Sequence, residues 1–126
     1  HGKLPSLNEV INANRTNRYA GAKLKRDIEN GNFFANNGRI LQLLNVISGD
    51  FKKLTEIKFV LSDMGEDEIV KSIDYLYESG YLKLRNVETS RATTLADTPF
   101  KYLSAKLTAD GVRVLVGKKT DDCIDI

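Results

Sequence analysis

The chain is short of the residues that cross-link, span or ligate. Its single cysteine, Cys123, excludes an internal disulfide framework and fits a reducing compartment. A catalytic thiol needs a base or a metal beside it, and the one histidine is His1, so Cys123 reads as a tail residue rather than a nucleophile. No apolar run approaches the ~18–20 residues of a membrane span. The opening His1-Gly2-Lys3 lacks the charged-then-apolar layout of a signal peptide. The expected location is the cytoplasm, with no membrane partner. A hard metal would need several convergent carboxylates, and the one dense acidic run, Glu66-Asp67-Glu68, reads as the start of a helix. No metal, no cofactor and no enzymatic activity are therefore expected.

What is present suits one folded domain with room for an arm: 126 residues, of which 41% are hydrophobic and 29% charged. The net charge of +2 is unevenly spread. Residues 1–37 hold six basic and three acidic side chains, whereas residues 38–80 hold five basic and eight acidic. Residues 81–117 return to six against three, and the tail 118–126 has two against three. A polyanion should be drawn to the two ends rather than the middle.

The patterning divides the chain into an arm with hinge (1–37), a main domain (38–117) and a tail (118–126). Ser6 and Glu9 form a capping box, followed by Leu7, Val10, Ile11, Leu24 and Ile28 near helical spacing. Asn12, Asn14, Asn17 and Gly21 interrupt the propensity, leaving one long helix or two short ones open. Asn30-Gly31-Asn32 and Asn36-Asn37-Gly38 are turn chemistry and predict a hinge, with Phe33 and Phe34 docking onto the main domain.

From Arg39 the 3.6-residue period is clear. Ile40, Leu41, Leu43, Leu44 and Ile47 form one helix, stopped by Ser48-Gly49. Leu54, Ile57, Phe59, Val60 and Leu61 form a second. A third starts at Glu66 and buries Ile69, Val70, Ile73, Leu76 and Tyr77, with Gly80 at its C′ position. At Gly80 the period switches to two. Tyr81-Leu82-Lys83-Leu84-Arg85 alternates as a half-buried strand, residues 86–99 form a polar loop, and residues 100–107 supply the return strand. Thr108 caps a short last helix with Val112, Leu115 and Val116, although Val112, Val114 and Val116 also alternate as a strand would. The tail is expected to be extended. Ile40, Leu44, Ile57, Ile69, Ile73, Leu76, Leu82 and Leu103 should be core. The fold class is α+β: a winged helix-turn-helix of three helices, a two-stranded wing and a short final helix, preceded by a helical arm.

The run EDEIVKSIDYLYESGYLKL, followed by KYLSAKLTADGVRVLVG, resembles winged-helix regulators of the MarR, PadR and ArsR type. It shares their Gly-Tyr pair before the wing and the Leu-Thr-x-x-Gly after it, here Leu107, Thr108 and Gly111. It is similar also to small winged-helix proteins of tailed phages and prophages. The resemblance implies DNA binding and transcriptional regulation. A second resemblance lies at the front, where KLPSLNEVINANRTNRYAGAKLKR is similar to the opening of RusA-type Holliday-junction resolvases. The acidic magnesium cluster on which that family's chemistry depends has no counterpart after residue 31, so the segment reads as a nucleic-acid-friendly arm.

The charges oppose the usual use of a third helix in the major groove. Its expected exposed residues are Glu66, Asp67, Glu68, Lys71, Ser72, Asp74, Tyr75 and Glu78, five acids against one lysine. Phosphate contacts would fall instead to Arg15, Arg18 and Lys23 on the arm and to Lys83, Arg85, Arg91 and Lys101 on the wing, giving weak sequence preference. The competing reading is a protein-assembly module. In it the arm's apolar residues, without a home in the main domain, bury against a second copy and make a homodimer.

Overall fold

The structure, a computed structural model, describes residues 7–47 and 49–126. The elements run α1 (Leu7–Val46), β1 (Lys52–Lys53), α2 (Leu54–Val60), α3 (Glu66–Glu78), β2 (Leu82–Asn86), β3 (Leu103–Leu107) and α4 (Ala109–Leu115). The chain divides into two units, His1–Asn32 and Phe33–Ile126. The proposed cap at Ser6 lies outside the described residues.

In the second unit, four helices surround a three-stranded antiparallel sheet of order β1-β3-β2. This α+β arrangement is compatible with a winged-helix-like fold. Its core is continuous, from Ile40, Leu41 and Leu44 on α1 through Leu54 and Ile57 on α2 to Ile69, Ile73 and Leu76 on α3. Leu82, Leu84, Leu103 and Ala105 add the inner face of the sheet. All eight residues expected in the core are buried.

α3 ends as its sequence requires. Gly80 takes φ +83°, the Gly80 N–H donates to the Tyr77 carbonyl at 3.0 Å, and Tyr81 N–H donates to Leu76 at 2.9 Å. This paired closure satisfies two carbonyls that the helix leaves open and turns the chain directly into β2. The Leu-Thr-x-x-Gly segment locks onto the same corner. Thr108 Oγ1 donates to the Gly80 carbonyl at 2.6 Å and accepts from Gly111 N–H at 3.1 Å, capping α4. A Cβ on Gly111 would lie 2.4 Å from the Tyr81 carbonyl oxygen, so this position admits no side chain.

Several expectations are corrected. There is no turn at residues 30–38: α1 runs through Asn30-Gly31-Asn32 and Asn36-Asn37-Gly38. Tertiary contacts override the weak helix propensity at the second of these triplets. Asn37 is fully buried and its Nδ2 donates to the Cys123 carbonyl at 2.9 Å, while Asn36 Nδ2 reaches Glu68 Oε2 at 3.2 Å. Nor is the tail merely extended. Ile124 is buried, and Asp125 N–H donates to the Phe34 carbonyl at 3.1 Å.

The return strand begins at Leu103 rather than residue 100, because Pro99 starts a 3-10 turn over Phe100–Tyr102 closed by Tyr102 N–H to the Pro99 carbonyl at 2.9 Å. β1 was not foreseen; two adjacent lysines show no alternation to read. Residues 112–115 resolve as helix with Val116 as its C-cap; Val114 and Gly111 turn inward and Val112 and Val116 are exposed. On α2, Phe59 and Val60 face solvent, since a two-turn helix can bury only the Leu54, Ile57 and Leu61 side.

Candidate functional site

Strand alternation creates a basic face. Leu82 pairs with Leu107 and Leu84 with Ala105, and these pairs face the core. The intervening pairs, Lys83 with Lys106 and Arg85 with Ser104, turn to the opposite face. β1 extends that face, because Lys53 is the partner of Ser104 on its other side. The outer face therefore carries Lys53, Lys83, Arg85 and Lys106. Like charges directly opposite on paired strands repel, yet Lys83 and Lys106 occupy one register position and neither is in an ion pair among the described residues.

Arg85 is tied down. Its guanidinium lies over the Phe51 ring at 4.1 Å, and Nη2 is 3.7 Å from Asp50 Oδ1. Its carbonyl accepts from Ser104 Oγ at 2.9 Å. Arg85 Nε is buried without a hydrogen-bond partner. A guanidinium held at Phe51 and Asp50 in this way has fewer free donors for an anion than an exposed one.

The polar loop of residues 86–99 is ordered by its own polar groups. Asn86 Oδ1 accepts from the backbone N–H of Glu88 at 2.8 Å and of Thr89 at 3.2 Å. Ser90 takes φ +57° and its N–H returns to the Asn86 carbonyl. Ala92 then bridges back to Arg85. Deeper in, Thr98 is buried, its Oγ1 2.6 Å from that of Thr93, and Leu95 packs against the core. Arg91 is consequently an exposed cation at a fixed turn. Lys101 is exposed with its ammonium 4.9 Å from the Tyr102 ring centre.

Of the arm residues, Lys23 is exposed on α1. Arg15 and Arg18 fall on the α1 backbone, and their side chains lie outside the described residues. The sheet unites Lys83 and Arg85 with Lys106. Lys53 joins them through a strand too short to detect in the sequence.

α3 presents the acidic surface that its sequence indicated: Glu66, Asp67, Glu68, Asp74 and Glu78 are all exposed. Its one lysine, Lys71, sits over the Phe33 ring at 4.8 Å. Two of its supposed surface residues are not available. Ser72 is fully buried with an unpartnered Oγ. Tyr75 is half-buried, edge-on to Phe33 at 5.5 Å between ring centres, and its hydroxyl donates to Asp121 at 2.8 Å.

Asp121 gathers four favourable interactions. The hydroxyls of Tyr75 and Tyr81 donate to it at 2.8 and 2.7 Å, and Cys123 N–H donates at 2.9 Å. Burial pushes its carboxyl up, but these donors and nearby Lys119 outweigh that and hold it below the usual range. Burial, then the anion itself, raises both phenols, Tyr81 to about 12. The cluster fastens the C-terminal segment to Tyr75 of α3 and to Tyr81.

No helix among the described residues is long and apolar enough to cross a membrane. No protein-family model, curated protein or solved structure matches the chain.

Proposed function

We propose that this is a winged-helix DNA-binding protein of the phage regulator kind, which contacts the duplex backbone through the outer face of its sheet, the wing and the arm. In this reading it binds and does not catalyse, and it takes no cofactor. The helix-strand-helix-helix order, the β1-β3-β2 sheet and the ordered loop between β2 and β3 support the winged-helix assignment.

The observation that carries the DNA reading is the Lys83–Lys106 register pair, flanked by Lys53 and with exposed Arg91 on the adjoining loop. An uncompensated like-charge pair costs the free protein stability and becomes favourable against a polyanion. Backbone-led contact gives weak sequence preference. The test is a salt series of gel shifts on non-specific duplex with the full chain and Lys83→Gln/Lys106→Gln. Binding that weakens uniformly across sequences, with the log–log salt slope reduced by roughly 2, is expected for two lost phosphate contacts. Absence of wild-type binding at low salt, or an unchanged slope, would refute it.

A second reading, a non-catalytic assembly module, has its own support. Residues 21–32 are helical and exposed throughout, with Leu24 and Ile28 one turn apart at 61% and 55% exposure. Burying that pair against the same helix of a second copy would make a homodimer through the arm. Replacing both by Asp should then delay elution to the monomer position; an unchanged volume excludes the arm as the interface.

A further inference from the structure

We propose that the apolar cleft between the end of α1 and α2 is a self-complementary face through which two copies of this chain pair, the Phe59 ring of each entering the cleft of the other. The cleft has a volume of about 370 Å³ and is lined by Leu43 of α1 and Ile47 just beyond it, with Ile57, Phe59 and Val60 of α2. Phe59 is 85% exposed and Val60 58% exposed. A phenylalanine standing almost free of its own molecule is an anomaly in a chain whose other large apolar residues of the second unit mostly reach the core. Helical geometry explains why it cannot turn inward. Leu54, Ile57 and Leu61 occupy the core side of α2, and Phe59, two residues past Ile57, points away from it.

The same patch holds both a projecting ring and a concave apolar surface, which is what an isologous two-fold contact requires. Charge points to the same occupant. Lys52 and Glu56 also line the cleft, are of opposite sign, and form no ion pair among the described residues. A two-fold axis placed between the two residues sets Lys52 of each copy against Glu56 of the other, twice over, and this is the arrangement the charge variants test. A central aromatic anchor with a polar rim is the arrangement in which a few residues dominate association. The cleft shares no lining residue with the basic sheet face or the arm, and the proposal stands or falls independently of the DNA reading.

The test is sedimentation velocity of the full chain over a concentration series, with Phe59→Asp, Lys52→Glu, Glu56→Lys and the double exchange Lys52→Glu/Glu56→Lys. The wild-type chain should be a reversible dimer, and Phe59→Asp should raise its dissociation constant at least about tenfold. Because Phe59 is exposed, its variant should keep wild-type helix content and, at concentrations where both chains are monomeric, the wild-type melting temperature, which separates lost pairing from lost folding. Each single charge reversal should weaken the dimer, and the double exchange should restore it. A wild-type chain that stays monomeric, a Phe59→Asp dimer as tight as wild type, or a double exchange no better than either single reversal would overturn the proposal.

Discussion

Gly38 lies against the carbonyl of Asp125: a Cβ at residue 38 would be 1.7 Å from that oxygen and 2.8 Å from its carbon. The contact is backbone on backbone, so no side chain can swing aside to relieve it. A glycine that reads as a helix breaker is thus the one residue that lets the C-terminal segment lie on α1. Gly38→Ala should be destabilising by about 1–3 kcal/mol, the range of overpacked sites, even though alanine is the better helix former by about 1 kcal/mol. Gly21→Ala, where nothing lies within 4 Å of the new methyl, should show only the favourable part and increase helix content. Urea denaturation and circular dichroism of the two variants make the comparison. Effects of opposite sign are expected; stabilisation by Gly38→Ala would mean that the tail does not pack there.

The Asp121 cluster gives the tail a defined pH window. The carboxyl titrates below the usual range when folded, so its contribution to stability is complete above the unfolded value and is lost as pH falls through the folded one. The phenols behave in the opposite sense. Their folded values lie above 10, so their contribution is complete below pH ~10 and is lost as pH rises toward about 12 for Tyr81. Asp121→Asn should cost about 1.5–3 kcal/mol at neutral pH, the range for hydrogen bonds to a charged group, and should flatten the acid limb of the stability curve. Chemical denaturation from pH 3 to 11 reads both effects. An acid limb identical to that of the wild type would remove Asp121 from the account.

Core truncations should sort by face. Leu44 and Ile73 are 4% and 0% exposed, and either change to alanine should cost about 2–5 kcal/mol. Val46→Ala and Val116→Ala, at 79% and 64% exposed positions, should stay within about 0.5 kcal/mol. Equilibrium denaturation of the four variants tests the assignment directly, and a cost below about 0.5 kcal/mol at Leu44 would contradict its burial.

The legible parts were those decided by local periodicity. The change from 3.6 to 2 at Gly80, the α3 boundary at Glu66 and the Thr108 cap are all consequences of neighbours within one or two turns. The missed parts depend on distant partners. Asn36, Asn37 and Gly38 look like a turn until Cys123, Glu68 and Asp125 are placed beside them. Tyr75 looks exposed because Asp121 is 46 positions away. Among the candidate binding residues, alternation put Lys83 and Arg85 on one face. Only the register reveals that Lys106 opposes Lys83, and only the two-residue strand β1 brings Lys53 to them.

The acidic helix offers the sharpest test of how DNA would be bound. Asp74 and Glu78 are exposed one turn apart on α3, and the only lysine of that helix is engaged over Phe33. If the sheet face and wing hold the phosphates, these carboxylates only repel the duplex. Asp74→Asn with Glu78→Gln should then tighten binding by a few-fold at low salt, and the gain should shrink as salt screens it. Titrations of fluorescent duplexes at two ionic strengths, with several sequences, supply the measurement. The gain should be equal for all sequences, because loss of repulsion carries no base information. The opposite outcome has an equally specific meaning. Carboxylates can accept hydrogen bonds from cytosine amino groups in the major groove. Should the double substitution abolish binding to one sequence and spare the rest, α3 would be reading bases, and the backbone-led mode would be wrong.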